Sequence, residues 1–250
     1  MKKLYLIGNH KMNLSYAELD KYFDALVDEA KYTNNVVGVC LPACYLDLAK
    51  YKLEGSSILF GAENCYYKDS GAYTGEISAK MLTDFNCDLV IVGHSERRSY
   101  FGETDEDVNL KVKKALEFNL MPIVCFGETL EERNDNKQME IVKKQVLASL
   151  EDIAKEDLSK IIFAYEPVWA IGTGLTATSD QAEEIISYAK SLITEKYGVS
   201  ADEIVMLYGG SLKPSNANEI LSKPSINGGL IGGACLKVDD FKMIFNVEVE

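Results

Sequence analysis

The feature that most constrains this chain is a rhythm of apolar, β-rich runs. They fall at Leu4–Gly8, Val36–Leu41, Ile58–Ala62, Leu89–Gly93, Met121–Phe126, Ile161–Tyr165, Ile204–Tyr208 and Gly229–Gly232. Their starts are mostly about 25 to 40 residues apart, the size of one strand–helix unit. The runs are continuously apolar rather than alternating, so each strand must be covered on both faces. Amphipathic stretches lie between them. Ser15 with Glu18, Thr104 with Asp107 and Thr178 with Gln181 have the form of helix starts, the first followed by an apolar stripe from Leu19 to Ala30. Further helical patterns occupy Tyr45–Tyr51, Ser78–Phe85, Leu130–Ala154, Gln181–Tyr197, Pro214–Leu221 and Asp239–Phe245. Eight such units without a linker or low-complexity stretch predict an α/β fold, a closed (β/α)8 barrel of eight parallel strands, as one domain over residues 1–250. An open doubly wound sheet would call for a nucleotide-binding loop after the first strand, and none is present.

In such a barrel the carboxyl ends of all strands converge on one face, so the residues just past each run are where chemistry is expected. The sixth run ends in Glu166 followed by Pro167, which cannot donate to a sheet ladder and terminates the strand with a carboxylate at its tip. The apolar Val168, Trp169, Ala170 and Ile171, then Gly172 and Gly174, suit a hinged lid able to exclude water and raise the basicity of Glu166. That is the setting of a general base. The fourth run is followed by His94, one of two histidines, at the apparent start of a helix whose amides would disfavour the cation. Lys11 after the first run is either a solvated loop charge or an anion anchor. Glycine pairs follow the seventh and eighth runs, Gly209-Gly210-Ser211 and Gly232-Gly233, the usual place for a phosphate held by backbone amides.

Charge and cysteine usage narrow the partners. With 26 basic and 39 acidic residues the net charge is −13, which disfavours nucleic acid and anionic membranes as partners and leaves a phosphate ligand to be held locally. No apolar run approaches the roughly 20 residues of a membrane span, and no secretory leader is evident at Met1-Lys2-Lys3. The six cysteines lack paired spacing, so neither metal nor disulfide is expected, and a reducing cytoplasm is the expected location.

Seven segments, GNHKMN at 8–13, GAYTGEIS at 71–78, VGHSERR at 92–98, CFGETLEER at 125–133, AYEPVWAIGTG at 164–174, YGGS at 208–211 and GGACL at 232–236, together closely resemble the triosephosphate isomerase family, in order along essentially the whole chain. The resemblance implies a cofactor-independent aldose–ketose isomerase of glycolysis and gluconeogenesis. It would interconvert dihydroxyacetone phosphate and D-glyceraldehyde 3-phosphate through an enediolate. By the same resemblance Glu166 is the base, His94 the neutral acid–base group, and Lys11 and Asn9 hold and polarise the substrate. Gly172, Ser211, Gly232 and Gly233 would hold its phosphate, Glu96 would be a buried carboxylate near Lys11, and Cys125 would pack behind Glu166. Pro167 to Ala177 would form the lid, with Trp169 reaching Glu128 or Tyr165. A homodimer is implied through the loop around Thr74, which would approach the partner's Asn9 and Lys11. His10, Asn227, Cys235 and Asn134 depart from residues common in the family. A Schiff-base aldolase would want a lysine inside a strand, and a metal-dependent isomerase a cluster of His and carboxylate ligands; the chain offers neither.

Overall fold

Hydrogen bonding passes from strand to neighbouring strand around the molecule until the last meets the first. The structure, a computed structural model, describes residues 2–170 and 176–249. The strands are β1 Tyr5–Asn9, β2 Val36–Leu41, β3 Leu59–Ala62, β4 Leu89–Val92, β5 Met121–Phe126, β6 Ile162–Tyr165, β7 Val205–Tyr208 and β8 Gly228–Ile231. All neighbours are parallel and the order β1-β2-β3-β4-β5-β6-β7-β8 closes on itself. The helices are α1 Tyr16–Ala30, α2 Leu46–Lys52, α3 Ala79–Asp84, α4 Ser95–Phe101, α5 Asp105–Glu117, α6 Leu130–Asn134, α7 Gln138–Ser149, α8 Ser179–Tyr197, α9 Ala217–Leu221 and α10 Val238–Phe245.

Both faces of every strand are buried, which is why the sequence shows unbroken apolar runs rather than alternation. Residues such as Ile7, Cys40, Ile91, Ile123, Leu207 and Leu230 fill the barrel, while a larger shell joins the outward strand faces to the helices. The helix starts at Ser15, Thr104 and Thr178 are complete capping boxes, each side chain taking an N–H three residues on. The one long pattern at Leu130–Ala154 is two helices. Asn136 adopts a left-handed φ of 57° between them, a conformation asparagine tolerates and a helix interior does not. The fourth strand stops at Val92 because Gly93 turns left-handed, φ 71°.

His10 leaves β1 pointing into the shell. It is 1% exposed and sits edge-on to Tyr22 at 4.9 Å between centroids, and neither ring nitrogen has a hydrogen-bond partner among the described residues. Burial pushes its pKa down to about 4. Between pH 6.5 and about 4 the unfolded chain therefore takes up a proton at this ring that the folded chain refuses. Stability falls as the pH falls through that window, by up to about 3 kcal/mol. Replacing His10→Phe should flatten that slope while keeping the edge-on contact. Urea unfolding of both proteins at about pH 7 and about pH 4.5 measures it, and identical pH slopes would remove His10 as the cause.

Candidate active site

At the carboxyl end of the barrel a cavity of about 940 Å³ is lined by Asn9, Lys11, His94, Glu166, Ser211 and Gly232, with Glu96 and Gly233 also on its wall. The strand order thus brings together residues far apart in the chain.

Glu166 lies one residue past β6, 1% exposed, its N–H given to Phe126 O at 2.7 Å so that the sheet ladder carries it. Its carboxylate faces the first turn of α4. Ser95 gives its N–H to Oε2 at 2.8 Å and its hydroxyl to Oε1 at 3.1 Å, and His94 Nε2 stands 2.9 Å from Oε1. Burial raises the carboxyl pKa, but the His94 charge and hydrogen bond and the two Ser95 donors outweigh it, so the group lies below its ordinary value. The sequence reading, in which a dry setting raises its basicity, is corrected in this arrangement: donors at the helix start win over desolvation.

His94 is the N-cap of α4, and its Nδ1 accepts the Glu96 N–H at 3.2 Å. In the neutral ring this leaves the proton on Nε2, the nitrogen turned to Glu166. Burial alone would lower the His94 pKa. The Glu166 charge and hydrogen bond reverse that, with Lys11 opposing and Glu96 adding, and the net direction is upward. The amide expected to disfavour the cation is in place, but the adjacent carboxylate overrides it.

Lys11 has a left-handed φ of 52°, and its N–H is given to Asn9 Oδ1 at 3.1 Å. Its Nζ meets Glu96 Oε1 at 2.7 Å. The Glu96 side chain is 39% exposed rather than buried, because the first turn of α4 leaves it facing the cavity beside Lys11. Cys125 is fully buried inside β5, opposite Ala164 in register, and close enough to Glu166 for that charge to add to the burial that raises its thiol pKa.

Past β8 the glycines leave main chain bare, whereas past β7 Gly210 is closed in by the Tyr208 hydroxyl and Pro167. A side-chain carbon on Gly233 would meet nothing within 4 Å, and one on Gly232 would meet only the Lys11 side chain, with Nζ 3.9 Å away. Gly172 lies outside the described residues, as do Ile171 and Gly174. The base of the expected lid is a single turn, Val168–Ala170, tied down by Trp169 Nε1 donating to Glu128 Oε1 at 2.8 Å. Tyr165 and Arg133 converge on the same buried oxygen at 3.0 and 2.8 Å.

Some neighbours carry no role in the sequence reading. Ser95 stands inside a quoted segment, yet nothing in one residue marks it as the holder of Glu166. Gly209 packs so closely that a side-chain carbon there would lie 3.0 Å from Glu166 Cγ. Glu63, just past β3, has its pKa pushed up to about 8 by burial, with Lys11 pulling it down and Glu96 raising it. Among the described residues no group of His, Cys, Asp and Glu could hold a metal ion, and no helix is long and apolar enough to cross a membrane.

The family model described as triosephosphate isomerase matches residues 4–248. A triosephosphate isomerase of Alkaliphilus oremlandii is 48% identical over 247 residues, covering 98% of this chain and 100% of that protein. One from Phocaeicola vulgatus is 51% identical over 250 residues, covering 98% of this chain and 99% of that protein. A crystal structure of triosephosphate isomerase from Bartonella henselae superposes with a TM-score of 0.88 at 41% identity, covering 97% of each chain. The barrel, the residues gathered at its mouth and these similarities agree, and the chain belongs to the triosephosphate isomerase family.

Proposed function

We propose that the protein interconverts dihydroxyacetone phosphate and D-glyceraldehyde 3-phosphate by proton transfer through an enediolate, with no cofactor, in glycolysis and gluconeogenesis. The observation that carries this reading is the meeting of Glu166, His94 and Lys11 in one cavity floored by bare glycine main chain. The Glu base with a His partner is the known arrangement of the family. The six free cysteines suit a reducing cytoplasm.

The substrate phosphate is held by N–H groups of Ser211, Gly232 and Gly233, with Gly172 joining from the lid. Lys11 supplies fixed positive charge beside the reacting oxygens, and Asn9 holds the Lys11 backbone and donates from its own amide. Substrate oxygens compete for His94 Nε2, so binding frees Glu166 from the imidazole. Once turned from Ser95 and His94 toward substrate carbon, the carboxylate loses the contacts that lower its pKa while the burial that raises it remains. It can then take a proton from one carbon and return it to the next. His94, relieved of the carboxylate, keeps burial, its largest influence, and Lys11 on the side of the neutral ring, with only Glu96 opposing, and the neutral ring passes protons between the two oxygens. Closure of the lid from its Trp169 anchor keeps water from the enediolate.

Shortening the base should separate chemistry from binding. Glu166→Asp withdraws the carboxylate by about 1 Å and should lower kcat on the order of 100-fold with KM little changed. His94→Gln should lower kcat by about 100-fold or more. A coupled assay of glyceraldehyde 3-phosphate turnover reads both, and a Glu166→Asp enzyme as fast as wild type would sink the base assignment.

We infer further that the protein works as a homodimer through the loop around Thr74. Residues 71–76 are exposed, and the loop is closed at its base by Tyr66 N–H to Ile77 O at 2.7 Å. Met12 and Phe101, 95% and 70% exposed, border a second cavity of about 350 Å³ beside Asn9, Lys11, Glu63 and Glu96. A partner loop entering there would cover them. The partly buried cavity sets the test: Thr74→Glu would carry an unpaired charge into it, weakening association at least about 10-fold and reducing turnover. Light scattering with activity across a dilution series decides it, and full activity from a proven monomer would refute the dependence.

A further inference from the structure

We propose that Gln145 of α7 is a positioning residue for Glu166, acting through the peptide of Gly127. The inference rests on Glu166 being the base.

The ladder between β5 and β6 continues past both strands. Phe126 O accepts the Glu166 N–H at 2.7 Å, and Glu128 O accepts the Val168 N–H at 3.2 Å. Successive residues of a parallel strand bond to opposite neighbours, so Gly127, between those two acceptors, faces away from β6 and toward β4. No strand is there to meet it. At Gly93, just past the end of β4, the chain has turned aside, its N–H taken by Glu103 Oε1 at 2.9 Å and its carbonyl by Arg98 Nε at 2.7 Å. Gln145 fills the place of the missing strand. Its Oε1 accepts the Gly127 N–H at 2.8 Å and its Nε2 donates to the Gly127 carbonyl at 3.3 Å.

Gly127 in turn sets where Glu166 sits. A side-chain carbon built on Gly127 would lie 1.7 Å from the Glu166 carbonyl oxygen, so the two main chains are already in contact. A small cavity of about 100 Å³, lined by Ser95, Gly127, Gln145, Glu166 and Val168, lies alongside. Without the amide clamp, Gly127 and the Glu166 backbone have room to slip into that space. A shift of a fraction of an ångström in the backbone is magnified at the carboxylate, where catalysis is most sensitive to distance. The phosphate glycines Gly232 and Gly233 follow β8 and have no part in this chain of contacts.

The test is Gln145→Met, which keeps length and bulk but can make neither hydrogen bond. The expected result is a fall in kcat of about 10-fold or more with a larger primary isotope effect on substrate deuterated at the carbon that loses its proton. KM and the competitive inhibition constant of inorganic phosphate should stay within about twofold, since phosphate contacts are untouched. An unchanged kcat would overturn the proposal. So would kcat, KM and phosphate inhibition worsening together with a lowered Tm and an unchanged isotope effect, because that is general loosening. Glu166→Asp measured alongside separates the two layers: if it loses turnover while Gln145→Met does not, only the positioning role falls, and if it stays at wild-type speed the base assignment falls too.

Discussion

The pairing of β1 with β8 is the contact on which the site depends. Tyr5 stands opposite Gly228 and Gly8 opposite Ile231, so the first and last strands complete the ring. Only through that closure do Asn9 and Lys11 come beside Gly232 and Gly233, more than two hundred positions later. Loop-closure entropy grows only logarithmically with length, so so distant a pairing is affordable once each intervening unit has buried its own apolar surface. The closure also confines positive charge. In a chain of net charge −13, an anion entering the cavity is met by Lys11, with Lys213 and Lys237 on the wall, and by amide dipoles rather than by a broad basic surface.

Burying a carboxylate is costly unless it is paired and hydrogen-bonded, and Glu166 is almost wholly buried. Its solution is to rest against the start of α4, where Ser95 and His94 supply donors and the helix start supplies favourable potential. The same contacts that let the fold tolerate the charge also make it a weak base. Reactivity and stability therefore use the same atoms at different moments. Substrate must displace one partner to release the other, which links basicity to occupancy without any titration in bulk solvent.

Much of this was legible in the residues for identifiable reasons. Strands covered on both faces leave unbroken apolar runs, and capping boxes leave a hydroxyl and a carboxylate or amide three positions apart, so both survive in one dimension. Strand ends at Glu166, His94 and Lys11 followed from where the runs stop. What failed to show depends on contacts between distant segments. Glu96 is half-exposed because the first turn of α4 faces it to the cavity, and the direction of the Glu166 pKa depends on His94 and then on Ser95, the latter across seventy-one positions. Gln145 looks like any polar helix residue until Gly127 is seen beneath it. The break between α6 and α7 turns on one asparagine whose backbone angle a hydropathy pattern cannot carry.

Glu166 lies between Gly127, where a methyl group would overlap the Glu166 carbonyl, and Gly209, where one would press on the Glu166 side chain. Two sides of its slot are therefore polypeptide backbone, and the side facing α4 is set by Ser95 and His94. Relatives at about half identity differ widely in overall sequence, and the width of this slot rests on few positions, the two glycines and the Gln145 contact on Gly127. For redesign, the adjustable side of the slot is the one facing α4, where the Ser95 and His94 side chains meet the carboxylate; the glycine sides change only with the path of the chain.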